Sequence, residues 1–188
     1  ATALVLVDIA PRIETGGVDK IQAFMNLKPE GFDSLQEVAD AIASYQPHRQ
    51  APGSLAGLAK NVRLGVDGKY HWHWDPRFRN VSRELDLRKR RLEACARQLT
   101  LPTLLVRGGL SDVLTEEGAQ EFLRLAPHSE YVHVIGAAHM VAGDRNPSFG
   151  DAGIDFLART VTPGVAPVEL RRAAGMDDVE RLGVAARC

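Results

Sequence analysis

The sequence predicts an α/β architecture built on a mostly parallel sheet, and three observations carry that prediction. Leu104-Leu105-Val106-Arg107-Gly108-Gly109 and Tyr131-Val132-His133-Val134-Ile135-Gly136 are apolar, β-branched-rich runs that end abruptly in glycine. Strands buried on both faces of a parallel sheet read this way. Between them, Glu116 to Leu125 has the pattern of a helix, the crossover that parallel strands need. Ahead of both, Leu4-Val5-Leu6-Val7-Asp8-Ile9-Ala10-Pro11 repeats the wording of strand then breaker. Each run delivers an ionisable side chain just past its end, where open α/β sheets bind ligands.

The elements follow in order. Residues 1–15 form the first strand and its exit loop, with Pro11 ending regular structure. Residues 16–98 read as a helical block without a βαβ pattern. Val18, Ile21, Phe24 and Met25 recur at helical spacing. A second helix opens at Asp33-Ser34, with Glu37 three residues past the serine as in a capping box. It runs through Leu35, Val38, Ala39 and Ile42 to Tyr45, and Pro47 ends it. Leu55, Leu58, Ala59 and Val62 mark a short third helix. Leu85 to Leu99 is a charged helix with Leu85, Leu92, Ala96 and Leu99 on its apolar side. Residues 99–160 return to strand, helix, strand, helix. Residues 161–188, with Pro163, Pro167 and many charges, read as a tail holding at most one helix.

Composition narrows the function classes. The chain has 188 residues, 45% hydrophobic and 25% charged, which is ordinary for a globular domain. Its net charge of −1 offers no electrostatic footprint for nucleic acid. No apolar run approaches the ~20 residues of a membrane span. Two cysteines, Cys95 and Cys188, make a poor disulfide framework, which favours a reducing, cytoplasmic setting. No cofactor motif stands out.

The chemistry centres on Asp112 and His139. Asp112 follows Gly108-Gly109 at the end of one strand, and His139 follows Gly136-Ala137-Ala138 at the end of the next. An acid that orients a histidine needs two such residues on one rim. Asp112 is the first candidate for the acid, its bland alternative being a cap for the helix that begins near Thr115. Asp8 is the rival, since it too ends a strand; its other role would be to hold the loop around Pro11 through bonds to backbone.

The spacing and wording of these segments resemble the α/β-hydrolase superfamily, in which nucleophile, acid and histidine follow in that chain order. The resemblance covers residues 1 to roughly 160. It implies that Leu4–Val7 is the strand after the nucleophile helix, that 16–98 is a cap domain, and that Asp112 and His139 are acid and base. Some members place the acid one strand earlier, which would select Asp8. Where the family usually has glycine, this chain has Ala138. The run from Met140 to Pro147 resembles a signature of small bacterial hydrolases, in which Asp144 and Arg145 would fix the loop.

A nucleophile elbow is absent. Gly109-Leu110-Ser111-Asp112-Val113 has valine where the second glycine belongs, and Gly53-Ser54-Leu55-Ala56-Gly57 has its serine at the wrong offset. The expectation is therefore the carboxyl-terminal portion of a hydrolase acting on a small ester-like substrate. A missing N-terminal segment of the same fold, or another copy, would complete it. An epoxide hydrolase or dehalogenase with an aspartate nucleophile, using Tyr45 or Tyr70 as electrophile, and a non-catalytic ligand-binding homologue are the alternatives.

His71-Trp72-His73-Trp74 alternates two histidines with two tryptophans, placing each pair on its own face of an extended segment. Two histidines without a third carboxylate or cysteine in register make a weak case for a metal site. Tyr70, Trp72, Trp74 and Phe78 either wall an apolar substrate pocket or pack the cap, and Met140 joins them as a substrate-binding candidate beside His139. Arg88-Lys89-Arg90-Arg91 reads as a solvated helix face.

Overall fold

Apolar strands that alternate their side chains between two covered faces organise the core. The computed structural model describes residues 1–48, 55–75, 85–144, 146–161 and 179–181. Along the chain these form β1 (Leu4–Val7), α1 (Thr15–Met25), α2 (Leu35–Tyr45), a 3-10 helix (Leu55–Lys60), β2 (Val62–Leu64) and β3 (Tyr70–Trp72). There follow α3 (Leu85–Arg97), β4 (Thr103–Gly108), α4 (Glu116–Leu125), β5 (Glu130–Val134), α5 (Val141–Asp144), α6 (Asn146–Val161) and β6 (Val179–Arg181). Two compact units result: a sheet-bearing unit holding Ala1–Val18 and the chain from Glu84 onward, and a second unit, Asp19–Arg83.

The main sheet has the order β1-β4-β5-β6. β1 pairs parallel with β4, Leu4 opposite Thr103 and Val7 opposite Val106, and β4 pairs parallel with β5, Leu104 opposite Glu130 and Gly108 opposite Val134. Period-two alternation sends Leu105 and Tyr131 to one face, where they pack with Ala96 of α3 and Ala119, Phe122 and Leu123 of α4. Leu104, Val106, Val132 and Val134 face the other way, against Val141, Ala152 and Phe156. Every residue of β4 is buried, as a strand covered on both faces requires. This is a mostly parallel, partial α/β sheet with flanking helices. Arg159 of α6 forks onto both carboxylate oxygens of Glu130 at 2.8 and 2.7 Å, a bidentate tie to β5.

Three expectations change. Helix α3, grouped by sequence with the helical block, lies in the sheet-bearing unit because Ala96 joins its core and Leu99, just beyond the helix, packs against that core. The block itself holds an antiparallel hairpin, β2 with β3, Val62 opposite Trp72. Its turn is made by Gly68 at φ 78° and by the Asp67 carboxylate accepting the Lys69 N–H at 3.1 Å. In the tail, the described residues 179–181 form a strand antiparallel to β5 rather than a helix.

The second unit has its own core of Phe32, Val38, Ala39, Leu58 and Val62. Its α2 opens as the sequence predicts. Ser34 accepts the Glu37 N–H at 3.2 Å, and the Glu37 carboxylate takes the Asp33 N–H at 2.8 Å.

One polar cluster is built into the sheet-bearing core. The Tyr131 hydroxyl donates to Glu116 at 2.6 Å, Gln120 donates to the other Glu116 oxygen at 2.8 Å, and Arg107 donates to the Leu114 carbonyl at 2.8 Å. Burial, and then the bond to Glu116, push the Tyr131 phenol well above its ordinary range. Burial works to raise Glu116, but the bonds from Tyr131 and Gln120 and the charge of Arg107 outweigh it and hold the carboxyl low. A depressed carboxyl contributes stability above the unfolded value of about 4.3 and loses it as pH falls through the folded value. Tyr131→Phe should therefore cost about 1 kcal/mol at neutral pH and clearly less in strong acid, as read from urea midpoints. An equal cost at both pH values would contradict the cluster.

Candidate active site

Three segments that leave the carboxyl ends of parallel strands meet at one buried carboxylate. Asp8 ends β1 with φ 52° and is fully buried. Aspartate is among the few non-glycine residues that enter this left-handed region readily. Its backbone N–H still bonds the Val106 carbonyl at 2.7 Å, so the turn begins from a paired strand. One carboxylate oxygen, Oδ1, accepts the Gly108 N–H at 2.9 Å. The other, Oδ2, accepts the Ser111 hydroxyl at 2.5 Å and bonds His139 Nδ1 at 2.8 Å.

The histidine loop is held by backbone. Gly109 N–H bonds the Val134 carbonyl at 2.9 Å and Leu110 N–H bonds the Ala137 carbonyl at 2.8 Å. The exits of β4 and β5 are thereby stapled together. Gly136 turns the chain at φ 74°. The Asp144 carboxylate accepts the Ala138 N–H at 2.8 Å, a bond that fixes the residue before His139; Arg145 lies outside the described residues. Gly108 is glycine for want of space, since a Cβ there would stand 2.3 Å from the Ala138 carbonyl oxygen. The exit loop of β1 is anchored too, by Glu14 N–H on the Val113 carbonyl at 2.8 Å.

The carboxylate on His139 Nδ1 is therefore that of Asp8, and the sequence-based choice of Asp112 is corrected. After Gly108-Gly109 the chain turns so that Ser111 points inward at 8% exposure, while Asp112 is exposed. The backbone of Asp112 is covered instead, with its carbonyl oxygen 2.2 Å from where a Cβ on Gly17 would lie. Nor does Asp112 cap α4, because the N-cap is Thr115, which accepts the Gly118 N–H. Ser111 gives little sequence signal: it stands inside the failed elbow Gly109–Val113, and only its partner across 103 positions explains it.

The remaining candidates fall in different places. Trp72 and Trp74 stack, ring centroids 4.6 Å apart, and Phe24 lies 4.3 Å from Tyr45 and 5.1 Å from Trp72. Tyr70 pairs by backbone with Phe32. His71 bonds Asp67 at 2.9 Å and His73 bonds the Lys60 carbonyl at 2.8 Å, so both serve the hairpin. Among the described residues no group of three metal-ligating side chains exists. Met140 is 51% exposed beside His139, and Phe78 lies outside the described residues. A cavity of about 430 Å³ lined by Arg12, Glu116, Glu117, Gln120 and Arg124 includes neither Asp8 nor His139.

Chemically, a carboxylate on Nδ1 selects the tautomer whose Nε2 is a base, and it steadies the imidazolium formed when Nε2 takes a proton. The side chain of His139 is 30% exposed while Asp8 is fully covered, so the acid is sealed and the base can be reached.

Comparison with known proteins agrees with this architecture. No family model matches the chain. Esterase Rv0045c of Mycobacterium tuberculosis is 28% identical over 120 residues, covering 61% of this chain and 37% of its own. The 3-hydroxybutyrate-oligomer hydrolase of Cupriavidus necator is 27% identical over 153 residues, covering 72% of this chain and 50% of its own. Among solved structures, E-2-(acetamidomethylene)succinate hydrolase superposes with TM-score 0.70 at 24% identity, over 84% of this chain and 57% of the other. A structure of the Rv0045c esterase gives TM-score 0.65 at 24% identity, over 84% and 54%. The chain has the α/β-hydrolase fold, and it spans about half the length of the relatives it matches, from 37% to 57%.

The stapled loops make a stability test. Gly108→Ala forces a methyl against backbone rather than against a flexible side chain, so it should cost about 1–3 kcal/mol in denaturant midpoint. Gly150→Ala, where a Cβ meets nothing within 4 Å, should cost nothing comparable. Equal effects would refute the close approach of the two loops.

Proposed function

We propose that this chain is the acid–base portion of an α/β hydrolase acting on a small ester-like substrate. Asp8 orients His139, and a nucleophilic serine comes from a segment outside these 188 residues. The observation that carries the reading is the 2.8 Å bond from His139 Nδ1 to the buried Asp8 carboxylate. The names of the relatives, an esterase and two hydrolases, support the reaction class. The sequence, which holds no nucleophile elbow, supports an external nucleophile.

In this reading His139 Nε2 takes the serine proton as the hydroxyl attacks the ester carbonyl. It returns that proton to the departing alcohol, leaving an acyl-serine. Water, deprotonated at the same nitrogen, then attacks the acyl carbon, and that proton passes to the serine oxygen as the acid departs. Asp8 stays put throughout and stabilises the imidazolium. Met140, 51% exposed beside His139, is the apolar surface that the sheet-bearing unit offers to the substrate. β1 lies at one end of the described sheet, and its outer edge is where the nucleophile-bearing segment, or another copy of the chain, would pair. A cytoplasmic setting is consistent with two cysteines in 188 residues.

Two measurements test this. In the enzyme that contains both this chain and the nucleophile segment, Asp8→Asn should lower kcat by on the order of 10⁴, as loss of the orienting carboxylate does in a serine triad. Asp112→Asn should change it little, and the reverse ranking would exclude Asp8 as the acid. A fluorophosphonate probe should leave every serine of the isolated chain unlabelled and label a serine of the accompanying segment. Stoichiometric labelling within residues 1–188 would contradict an external nucleophile.

A further inference from the structure

Ser111 makes three hydrogen bonds from one hydroxyl. Its oxygen accepts the N–H groups of Val113 at 3.1 Å and Leu114 at 3.2 Å, and its proton goes to Asp8 Oδ2 at 2.5 Å. A serine hydroxyl has one proton and two lone pairs, so the two backbone donors fill its acceptor side and commit the proton to Asp8. A serine that only closed the 111–114 turn would need the first two bonds alone. The third reaches the same oxygen that serves His139.

We propose that Ser111 is a positioning residue for the Asp8–His139 pair. Gly108 N–H fixes one carboxylate oxygen and the Ser111 hydroxyl fixes the other, so the carboxylate cannot rotate and Oδ2 stays in line with His139 Nδ1. Ser111 thereby keeps neutral His139 in the tautomer that carries its proton on Nδ1. Without the hydroxyl, Asp8 keeps a single fixed donor on Oδ1, its plane is free to swing, and the imidazole loses the constraint on its tautomer. This rests on the acid–base reading of the pair, and its test observes the imidazole without any turnover.

The test is long-range proton–nitrogen correlation NMR on the 188-residue chain with labelled histidine, under conditions where His139 is neutral. In the native chain the Nδ1–H tautomer of His139 should dominate. In Ser111→Ala the share of the Nε2–H tautomer should rise several-fold, and the Nδ1 proton should exchange faster with water. Ser111→Thr, which keeps a hydroxyl, should restore the native pattern. Circular dichroism establishes that each variant is folded. Should Ser111→Ala unfold, Ser111→Cys, with similar size and a weak donor, decides the matter by the same shift. A folded Ala or Cys variant with the native tautomer ratio, or a Thr variant that fails to restore it, overturns the proposal. The tautomer shift can be observed in a protein that hydrolyses nothing, and an active enzyme can show no shift, so the two readings fail separately.

Discussion

A fully buried carboxylate has to be supplied with donors, and in this protein that requirement joins three stretches of chain that are far apart in sequence. Asp8 receives Gly108, Ser111 and His139, separated from it by 100, 103 and 131 positions. Leaving a buried acceptor unsatisfied costs about 1–3 kcal/mol, and more for a charged one. The exits of β1, β4 and β5 are thus held in one arrangement by the needs of a single side chain. The backbone bonds Gly109–Val134 and Leu110–Ala137 then bring the histidine loop within reach of it.

The parallel sheet makes this possible. Parallel strands end on the same side, so residues just past them share a rim without needing to be near in sequence. β1, β4 and β5 are neighbours in register; β1 delivers Asp8, β4 delivers Gly108 and Ser111, and β5 delivers His139. The helices that cover both faces fix the strands and so, indirectly, the distances among Asp8, Ser111 and His139.

Much of this was legible in the residues. Runs such as Leu104–Gly108 and Tyr131–Val134 are apolar without alternation because both faces are covered, and that pattern marks them as parallel strands. The amphipathic stretch Glu116–Leu125 became α4 with the same bounds. His139 stood out because it follows a strand that ends in glycine. The acid was less legible. Asp8 and Asp112 both follow strands, and the choice between them depends on which way a four-residue turn points its side chains, a property of tertiary packing. Gly17 against the Asp112 carbonyl, and Val113 bonded to Glu14, turn that stretch so that Ser111 faces in. The β2–β3 hairpin was half legible: the alternation at His71–Trp74 marks an extended segment at β3, but its partner Val62–Leu64 is too short for a period of two to show.

The site depends on Asp8 being the partner of His139, and a low-field proton spectrum of the chain addresses that bond directly. A histidine Nδ1 proton shared with a buried carboxylate resonates far downfield and is sheltered from water. The signal should be present in the native chain, survive Asp112→Asn and vanish in Asp8→Asn, where asparagine keeps the size and left-handed backbone but replaces the carboxylate. Loss of the signal in Asp112→Asn with its retention in Asp8→Asn would contradict the arrangement at its centre.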